Sequence, residues 1–521
     1  MQLTQCIKRA AQVDREGSAT IFAERRHTWS DFTARVSRLA GGLRELGVSE
    51  GDRVAMLALN SDRYLEYYFA IPWAGAVVVP MNIRWSPAEN AYSLNDSGAR
   101  VMIVDDAFAA MVPKILAQAT LDTLIYAGEG ETPDGMLNYE ALIADNAPAS
   151  DAERGGEDLA GIFYTGGTTG FPKGVMLPHR GLWSSAIAMA HHLELDAGAR
   201  YLHAAPMFHL ADGAMSMACC VVGAGHVMIS AFSPQAVLEA ASAHRPTHLL
   251  LVPTMVKMVL DDPGLATADL SSVQRVLYGA SPMPEGVLLE AFEKLPHCGW
   301  LQAYGQTELS PVATVMPPEY HVLEGPKAGK LRSAGRAAVC CEVRIVDETG
   351  DELPRGEVGE ISVRGPNTMQ GYWNKPEETA ATLIDGWVRT GDGAYMDEDG
   401  FIFIMDRFKD MIISGGENIF SAEVESALSK HPAVGECAVV GIPDEEWGEA
   451  VHAVVVLAEG AEAAEAMESE LIGHCRELIA HYKCPRSLEF RSEPLPLSGA
   501  GKVLKKDLRA PFWEGREREV N

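Results

Sequence analysis

The stretch Tyr164-Thr-Gly-Gly-Thr-Thr-Gly-Phe-Pro-Lys-Gly174 combines glycines, hydroxyl side chains and one lysine in a single loop. The apolar residues Gly161–Tyr164 predict a β-strand that leads into it. Glycines let backbone N–H groups converge on an anion, and Lys173 adds a mobile positive charge. The order GxxxxGK[ST] of a Walker A loop is absent, because glycine follows Lys173. The stretch therefore predicts an anion site of another kind, with a plain Gly-rich turn between strand and helix as the alternative.

Short apolar segments alternate with helical stretches on both sides of this loop. Val101–Val104, His248–Val252 and Val273–Leu277 each predict a strand. Ser30 is the expected N-cap of a helix whose apolar residues repeat at helical spacing until Gly47. Strands that alternate with helices are typical of an α/β protein with largely parallel sheets.

The pattern changes after Arg336. Glu342–Val346 and Gly359–Arg364 predict hairpin strands, and Phe401–Met405 predicts a last strand of the same β-rich subdomain. A small α+β unit follows, with a helix over Glu423–Leu428, strands over Cys437–Val440 and Val451–Leu457, and a solvated helix near Glu459–Glu470. We therefore expect an α/β fold: a large N-terminal domain of stacked α/β sheets over residues 1–406, with the β-rich subdomain at about 336–406, a hinge at 407–410, and a small mobile α+β C-terminal domain over 411–521.

Composition excludes several classes of protein. The 521 residues are 47% hydrophobic and 22% charged, which argues against disorder. With 43 basic and 72 acidic residues the formal charge is −29, so a nucleic-acid partner is disfavoured. Nine cysteines without CxxC spacing, and no visible secretory signal, predict a reducing, cytoplasmic compartment. No apolar run reaches the roughly 20 residues of a transmembrane helix.

Further motifs follow the Gly-rich loop in a fixed order. They are Tyr304-Gly-Gln-Thr-Glu308, Trp387-Val-Arg-Thr-Gly-Asp392, Asp406-Arg-Phe-Lys-Asp410, Ser414-Gly-Gly-Glu-Asn418 and Gly499-Ala-Gly-Lys502. Together with the loop they resemble the signatures of the acyl-adenylate-forming superfamily, which includes acyl-CoA synthetases, adenylation domains of peptide synthetases and luciferases. The resemblance extends over nearly the whole chain and is strongest to the acyl-CoA synthetase branch.

The resemblance implies ATP, Mg²⁺ and coenzyme A as ligands, and it assigns roles by motif position. The implied catalytic residues are Lys173, Thr307, Glu308 and Lys502, and the implied metal ligands are Thr165 and Glu308. The implied ATP and AMP contacts are Thr165, Gly166, Gly167, Thr168, Thr169, Gly170, Lys173, Gly279, Ala280, Ser281, Tyr304, Gly305, Thr307, Asp392, Arg407 and Lys502.

The chemistry of these side chains suits the implied roles. A carboxylate that attacks the α-phosphorus brings two anions together, so the site must neutralise charge in the transition state. Glu308 offers the oxygen ligands that Mg²⁺ prefers, and Asp392 has enough lone pairs to accept from both ribose hydroxyls. Tyr304 can lie against the adenine ring.

Each of these residues also has a purely structural interpretation. Glu308 alone would read as a surface carboxylate, Tyr304 as a core tyrosine and Asp392 as a turn cap after a glycine. Arg407 could form an ordinary boundary salt bridge, and Lys502 could belong to a solvated helix face. We favour the functional interpretation, because each of these residues stands at the motif position to which the resemblance assigns that role.

The second half-reaction needs a different arrangement of the small domain. The resemblance implies that this domain rotates about Lys409 after adenylation. The rotation withdraws Lys502 and brings in a loop that lines the tunnel for the thiol of coenzyme A. That loop comprises Ser414, Gly415, Gly416 and Glu417.

The segment Ala205-Pro-Met-Phe-His-Leu-Ala211 resembles the family's lead into the acyl pocket, which is implied to comprise His209, Gly279, Ala280 and Ala303. Amino-acid-activating relatives have an aspartate where His209 stands, which argues against an α-amino acid. A satisfied core histidine is the alternative interpretation.

These observations predict an ATP-dependent carboxylic acid–CoA ligase that acts through an acyl-AMP intermediate. We expect the substrate to be a small-molecule carboxylic acid of fatty, aryl or other hydrophobic character, and a homo-oligomer is compatible with the sequence. The sequence ends soon after Lys502, which favours a free thiol over a tethered one as acceptor. The alternatives are an acyl-adenylate enzyme with another acceptor, a carrier protein or oxygen, and a non-catalytic acyl or nucleotide sensor.

Overall fold

The structure is a computed structural model that describes residues 1–166, 172–407, 410–415, 417–444, 446–458, 460–461, 465–498 and 503–514. For Asp406, Arg407, Asn418 and Glu465 only the backbone is described. The predicted positions Gly167, Thr168, Thr169, Gly170, Lys409, Gly416 and Lys502 lie outside the described residues.

The helices of the described residues are α1 Thr4–Val13, α2 Trp29–Glu45, α3 Asp62–Ala74, α4 Pro87–Ser97, α5 Val112–Leu116, α6 Tyr139–Asp145, α7 His179–His192, α8 Leu210–Val222, α9 Pro234–His244, α10 Pro253–Asp261, α11 Glu285–Lys294, α12 Pro376–Thr382, α13 Ser421–Leu428, α14 Glu465–Leu478 and α15 Lys505–Arg509.

The strands up to the subdomain are β1 Ser18–Phe22, β2 Arg25–Thr28, β3 Arg53–Leu57, β4 Val77–Pro80, β5 Val101–Val104, β6 Thr123–Tyr126, β7 Leu137–Asn138, β8 Leu159–Thr165, β9 Lys173–Pro178, β10 Arg200–His203, β11 Gly225–Met228, β12 His248–Leu250, β13 Arg275–Gly279, β14 Gly299–Tyr304, β15 Thr314–Met316 and β16 Arg336–Ala337. The remaining strands are β17 Glu342–Val346, β18 Gly359–Arg364, β19 Gly371–Tyr372, β20 Leu383–Ile384, β21 Trp387–Met396, β22 Ile402–Arg407, β23 Ile412–Ser414, β24 Glu417–Ile419, β25 Val434–Asp444, β26 Gly448–Leu457 and β27 Ser487–Arg491.

Two large sheets form the body of the molecule. One has nine strands in the order β16-β15-β14-β13-β12-β10-β11-β1-β2, and the other has eight in the order β19-β9-β8-β4-β3-β5-β6-β7. Every residue of α3 is buried, and this helix contacts β1 of the first sheet as well as β3 and β4 of the second. A helix with no exposed face belongs in a core, and α3 lies between the two sheets.

Two smaller sheets complete the fold. Strands β17, β18, β21, β20 and β22 form the β-rich subdomain, and β24, β23, β26, β25 and β27 form a sheet of the C-terminal part, with α13 packed on β25. The predicted stacked sheets, β-rich subdomain and small α+β unit are therefore all present. The exact domain bounds stay a prediction.

One local prediction is wrong. The helix that was expected to be capped by Ser30 begins at Trp29, and Thr28 is its N-cap. The Thr28 hydroxyl accepts from the backbone N–H of Asp31 at 3.1 Å, and the Asp31 carboxylate accepts from the Thr28 N–H at 3.3 Å. This reciprocal pair satisfies two N–H groups at the helix start, which Ser30, already inside the first turn, could not do.

Candidate active site

The nine-stranded sheet brings three of the predicted segments to one edge. Strands β10, β12, β13 and β14 run parallel as neighbours, so their carboxyl ends meet at the same side. Gly279 ends β13 directly beside Ala303 of β14, and a Cβ on Gly279 would stand 2.2 Å from the Ala303 carbonyl oxygen. Ala280 follows at φ +66°, and Ser281 is half-buried. Close backbone approach therefore requires glycine at 279.

The acyl segment, residues 205–211, follows β10 and is the predicted lead into the acyl pocket. Two side chains from outside the motifs hold its backbone. The Asn60 amide donates to the Ala205 carbonyl at 2.8 Å and accepts from the Met207 N–H at 2.7 Å. The Tyr68 hydroxyl donates to the Met207 carbonyl at 2.6 Å. Both side chains are buried, so these bonds are made away from water and fix the backbone of the segment.

A buried polar chain braces both ends of the same segment. His203 Nδ1 lies 2.6 Å from Asp212 Oδ2, the Tyr201 hydroxyl donates to Asp212 Oδ1 at 3.1 Å, and His203 Nε2 lies 2.9 Å from His226 Nδ1. Burial lowers the pKa of His226 well below its usual range, because a charged imidazole is poorly solvated there. The Asp212 carboxylate is thus engaged at both oxygens and is not presented to a substrate ammonium.

His209 has a clear local role. It is the N-cap of α8, and its Nδ1 accepts from the Ala211 N–H at 3.3 Å. The ring is half-buried and lies edge-on to Phe208, with ring centroids 6.4 Å apart. The capping contact supports the satisfied-histidine interpretation, and a contact between His209 and an acyl group remains a prediction.

Two distant motifs meet at Tyr304 and Asp392. The Tyr304 hydroxyl donates to Asp392 Oδ2 at 2.7 Å, across 88 residues of sequence. Asp392 is only 5% exposed and is paired across β21 and β22 with Arg407. The interpretation of Asp392 as a turn cap is wrong, because the residue lies inside β21. The Asp392 carboxylate is therefore buried beside Tyr304, the last residue of β14.

The loop after Tyr304 is shaped by close packing. A Cβ on Gly305 would lie 1.9 Å from the Pro311 carbonyl oxygen and 2.9 Å from the Ala313 nitrogen. A short 3-10 turn then runs over Thr307–Leu309, with Thr307 half-buried and Glu308 8% exposed. The interpretation of Glu308 as a surface carboxylate is therefore wrong.

Tyr372 is a site residue that the sequence reasoning missed. Its hydroxyl donates to Glu308 Oε1 at 2.8 Å, and the Lys173 ammonium lies 5.1 Å from the centroid of its ring. Burial, reinforced by the negative charge of Glu308, raises the pKa of Tyr372 above its usual range, so the hydroxyl stays a donor. An aromatic residue directly after Gly371, outside every quoted motif, was the available signal.

The Gly-rich loop joins two antiparallel strands, not a strand and a helix. β8 and β9 pair through Thr165 and Lys173, so these two residues close the base of the loop. The Thr165 hydroxyl lies 3.5 Å from the Lys173 carbonyl oxygen, and Gly166 is exposed. The two ends of the predicted anion site, Thr165 and Lys173, are therefore paired across β8 and β9.

In the C-terminal part, Ser414 and Glu417 pair at the base of a hairpin. Ser414 is buried, Glu417 is exposed, and Gly415 has φ +62°. A Cβ on Gly415 would stand 2.5 Å from the Trp447 ring, so the loop passes this ring closely. Near Lys502, Leu497 is bridged to Val503, and the Arg84 guanidinium donates to the Ser498 carbonyl at 2.7 Å, which links this region to the large domain.

The described residues contain no group of three or more His, Cys, Asp or Glu side chains arranged to hold a metal ion. Among the same residues, none of the helices combines the length and the apolar character needed to cross a bilayer.

We expect Tyr304→Phe to raise the KM for ATP tenfold or more, because it removes a hydrogen bond to a buried carboxylate, an interaction worth about 1.5–3 kcal/mol. The measurement is ATP-dependent pyrophosphate exchange as a function of ATP concentration. Tyr395→Phe, on the same strand as Asp392 but stacked on Phe403, is the control and should keep the wild-type KM. A Tyr304→Phe variant with unchanged KM for ATP would contradict the assigned contact.

Comparison with known proteins identifies the family. The sequence model of the AMP-binding enzyme family matches residues 7–373, and that of the AMP-binding enzyme C-terminal domain matches residues 423–502. The chain belongs to the AMP-binding enzyme family. It is 41% identical to a feruloyl-CoA synthase of an Amycolatopsis species over 93% of this chain and 94% of the relative. It is 36% identical to an indoleacetate–CoA ligase of Aromatoleum aromaticum over 98% of this chain and 98% of the relative.

Solved structures of the AMP-binding enzyme family agree. An anthranilate CoA ligase in complex with anthranoyl-AMP superposes with a TM-score of 0.90 at 28% identity, covering 98% of this chain and 97% of the other. The o-succinylbenzoate CoA synthetase of Bacillus subtilis superposes with a TM-score of 0.84 at 31% identity, covering 96% and 97%. The fold class predicted from the sequence is confirmed. This AMP-binding enzyme is an AMP-forming acid–CoA ligase that uses ATP and coenzyme A.

Proposed function

We propose that this ligase activates an aromatic carboxylic acid of the aryl-propenoate kind, with Mg²⁺ as metal ion. The support for an aromatic acid is the 41% identity to feruloyl-CoA synthase and the likeness to ligases of indoleacetate and anthranilate. The predicted pocket residues Ala280 and Ala303 are small and apolar, and Phe208 precedes the predicted pocket residue His209, which suits a hydrophobic acid. Asp212, the acidic residue nearest to His209 in the sequence, already has both carboxylate oxygens in contact with His203 and Tyr201.

In this proposal the ATP site is built from the loop between Thr165 and Lys173, the edge at Gly279 and Ala303, and the Tyr304–Asp392 pair. Asp392 accepts from the ribose hydroxyls, and Arg407, which pairs with Asp392 in the strand register, is the proposed second contact to the nucleotide. The observation that carries the proposed ATP site is the Tyr304–Asp392 hydrogen bond, because it joins two of the nucleotide motifs at the end of a parallel strand.

Glu308 fits a magnesium ion in two respects. It is a buried carboxylate, and Oε1 already has a donor in Tyr372, which leaves Oε2 for a ligand. Mg²⁺ is usually held by one or two carboxylates together with phosphates and water, so Glu308 together with the Thr165 hydroxyl of the Gly-rich loop is a suitable donor set. When bound, the ion would neutralise charge on the phosphates.

The reaction has two steps in this proposal. An oxygen of the acid's carboxylate attacks the α-phosphorus of ATP, the bond to the β-phosphate oxygen breaks, and pyrophosphate leaves. The thiol of coenzyme A then attacks the acyl carbon, AMP leaves, and the thiol proton passes to solvent. Lys173 and Lys502 would stabilise the anions of the first step. The hairpin at Ser414–Glu417 would line the thiol's path after rotation at 407–410.

The test is incubation with ATP and Mg²⁺ and a matched panel of acids, with and without coenzyme A. Ferulate, 4-hydroxycinnamate, benzoate, indoleacetate, octanoate and palmitate span the chemical classes, and the nucleotide product is separated by chromatography. We expect AMP and the acyl-CoA thioester, with kcat/KM highest for the two aryl-propenoates. A higher value for octanoate or palmitate would contradict the aromatic substrate, and ADP would contradict the reaction.

The acceptor is tested in the same assay. A fatty acid–[acyl-carrier-protein] ligase of Streptomyces coeruleorubidus is 35% identical over the length of this chain, so a holo acyl-carrier protein is the matched comparison to coenzyme A. We expect turnover with coenzyme A. Turnover with the carrier protein alone would overturn the proposed acceptor.

A further inference from the structure

Tyr372 contacts two oppositely charged side chains of the candidate site at once. Its hydroxyl is 2.8 Å from Glu308 Oε1, while the Lys173 ammonium lies 5.1 Å from the centre of the ring. Both the tyrosine and the glutamate are less than a tenth exposed. One aromatic side chain thus supplies a hydrogen bond to the anion and a π face to the cation.

The backbone around Tyr372 is fixed on both sides. β19 pairs with β9, which places Tyr372 beside Val175. The Tyr372 N–H donates to the Thr379 hydroxyl at 2.8 Å, and the Trp373 N–H donates to the Gly174 carbonyl at 2.7 Å. The backbone that carries the ring is therefore held against β9, the strand that begins at Lys173.

Lys173 and Glu308, both among the described residues, form no ion pair with each other, although Lys173 lies over the ring of Tyr372 and Glu308 accepts from its hydroxyl. Opposite charges in a poorly solvated site attract strongly. If Tyr372 lost its hydroxyl, Glu308 would be left without this donor, and the closest route to compensation would be a direct pair with Lys173. Such a pair would withdraw a metal ligand and a phosphate contact together.

We propose that Tyr372 is a positioning residue for adenylation, which holds Glu308 and Lys173 apart and oriented toward the metal ion and the phosphates of ATP. The proposal rests on the proposed function, because it takes Glu308 as the magnesium ligand. It assigns to Tyr372 no contact with substrate.

Tyr372→Phe removes the hydroxyl and keeps the ring. We expect the Mg²⁺ concentration for half-maximal pyrophosphate exchange to rise about tenfold, and the KM for ATP to rise with it, while the rate at saturation stays within about threefold. Mn²⁺ binding in the presence of a non-hydrolysable ATP analogue, measured by electron paramagnetic resonance, should weaken about tenfold. Thioester formation from supplied acyl-AMP, which needs neither metal nor pyrophosphate release, should be unchanged.

The chain offers a matched control in Tyr139. The Tyr139 hydroxyl donates to the buried Glu66 at 2.9 Å, and the Arg63 guanidinium lies 5.8 Å from its ring centroid. Tyr139→Phe makes the same chemical change on α6, away from the candidate site residues. It should lower thermal stability and leave the metal and ATP dependence as in the wild type.

The outcomes are distinct. Wild-type metal dependence and Mn²⁺ binding in Tyr372→Phe, or an equal change in Tyr139→Phe, would overturn the proposal. If Tyr372→Phe folds poorly, two other variants provide the test. Tyr372→His keeps a ring and a donor and should bind Mn²⁺ within about threefold of wild type, whereas Tyr372→Leu should bind it at least tenfold more weakly. Equal Mn²⁺ affinities of these two variants would overturn the proposal. Absence of pyrophosphate exchange in the wild type with every acid would instead be a failure of the proposed function.

Discussion

Lys502→Ala should slow acyl-adenylate formation by a factor of about 10²–10³, the usual cost of losing one donor to developing negative charge. The first step brings a carboxylate to an α-phosphate, and Lys502 is the predicted cation between them. Lys502 itself lies outside the described residues; on either side of it in the sequence, Leu497 is bridged to Val503, and the Arg84 guanidinium donates to the Ser498 carbonyl. The measurement is pyrophosphate exchange with a good acid substrate.

The second half-reaction distinguishes a catalytic role from a structural one. Thioester formation from supplied acyl-AMP should survive in Lys502→Ala, because no phosphate bond to ATP is broken in that step. Lys506→Ala, an exposed lysine on α15, is the matched control and should keep both rates. Equal loss of both half-reactions in Lys502→Ala, or an unimpaired first step, would contradict the assignment.

Gly305→Ala should lower adenylation about a hundredfold and reduce thermal stability. The added methyl would stand 1.9 Å from the Pro311 carbonyl oxygen, and this neighbour is backbone, which cannot rotate away. Overpacking of this kind costs about 1–3 kcal/mol or more, and the loop that carries Thr307 and Glu308 must move to relieve it. A displacement of about 1 Å in a reacting geometry is enough for a hundredfold loss of rate.

Gly286→Ala is the matched control for this substitution. A Cβ at Gly286 meets nothing within 4 Å, and the residue lies in α11, where alanine is favoured over glycine. We expect unchanged kinetics and equal or slightly higher stability. If Gly305→Ala behaved like Gly286→Ala, the close approach of the Tyr304 loop to Pro311 would not matter for the site.

The net charge of −29 shows how local structure decides what a global property leaves open. ATP, pyrophosphate and coenzyme A are all anions, yet the distant acidic surface is screened over about 8 Å at physiological salt. Lys173, beside the Tyr372 ring, is a positive charge within the candidate site itself. The acidic net charge therefore disfavours binding of extended polyanions such as nucleic acids, and it has little effect on binding of a nucleotide in a cleft.

The sequence by itself determined the elements and the order of the motifs. The strands predicted at Val101–Val104, Glu342–Val346 and Gly359–Arg364 have these same bounds in the structure, because their apolar pattern is local. The strand predicted at Phe401–Met405 is shifted by one or two residues, and the helix expected near Glu459–Glu470 is α14, Glu465–Leu478. Element ends depend on capping and pairing partners, which a local pattern does not contain.

Only the tertiary structure decided which side chains meet. Nothing in the sequence near Tyr304 indicates that its hydroxyl bonds to Asp392, and nothing near Glu308 indicates Tyr372, because these pairs are 88 and 64 residues apart. Asn60 and Tyr68, which clamp the acyl segment, belong to no motif. Residue types and spacing record the chemistry that a chain can perform. The contacts that orient this chemistry arise from sheet order and register, which bring distant strands to one edge.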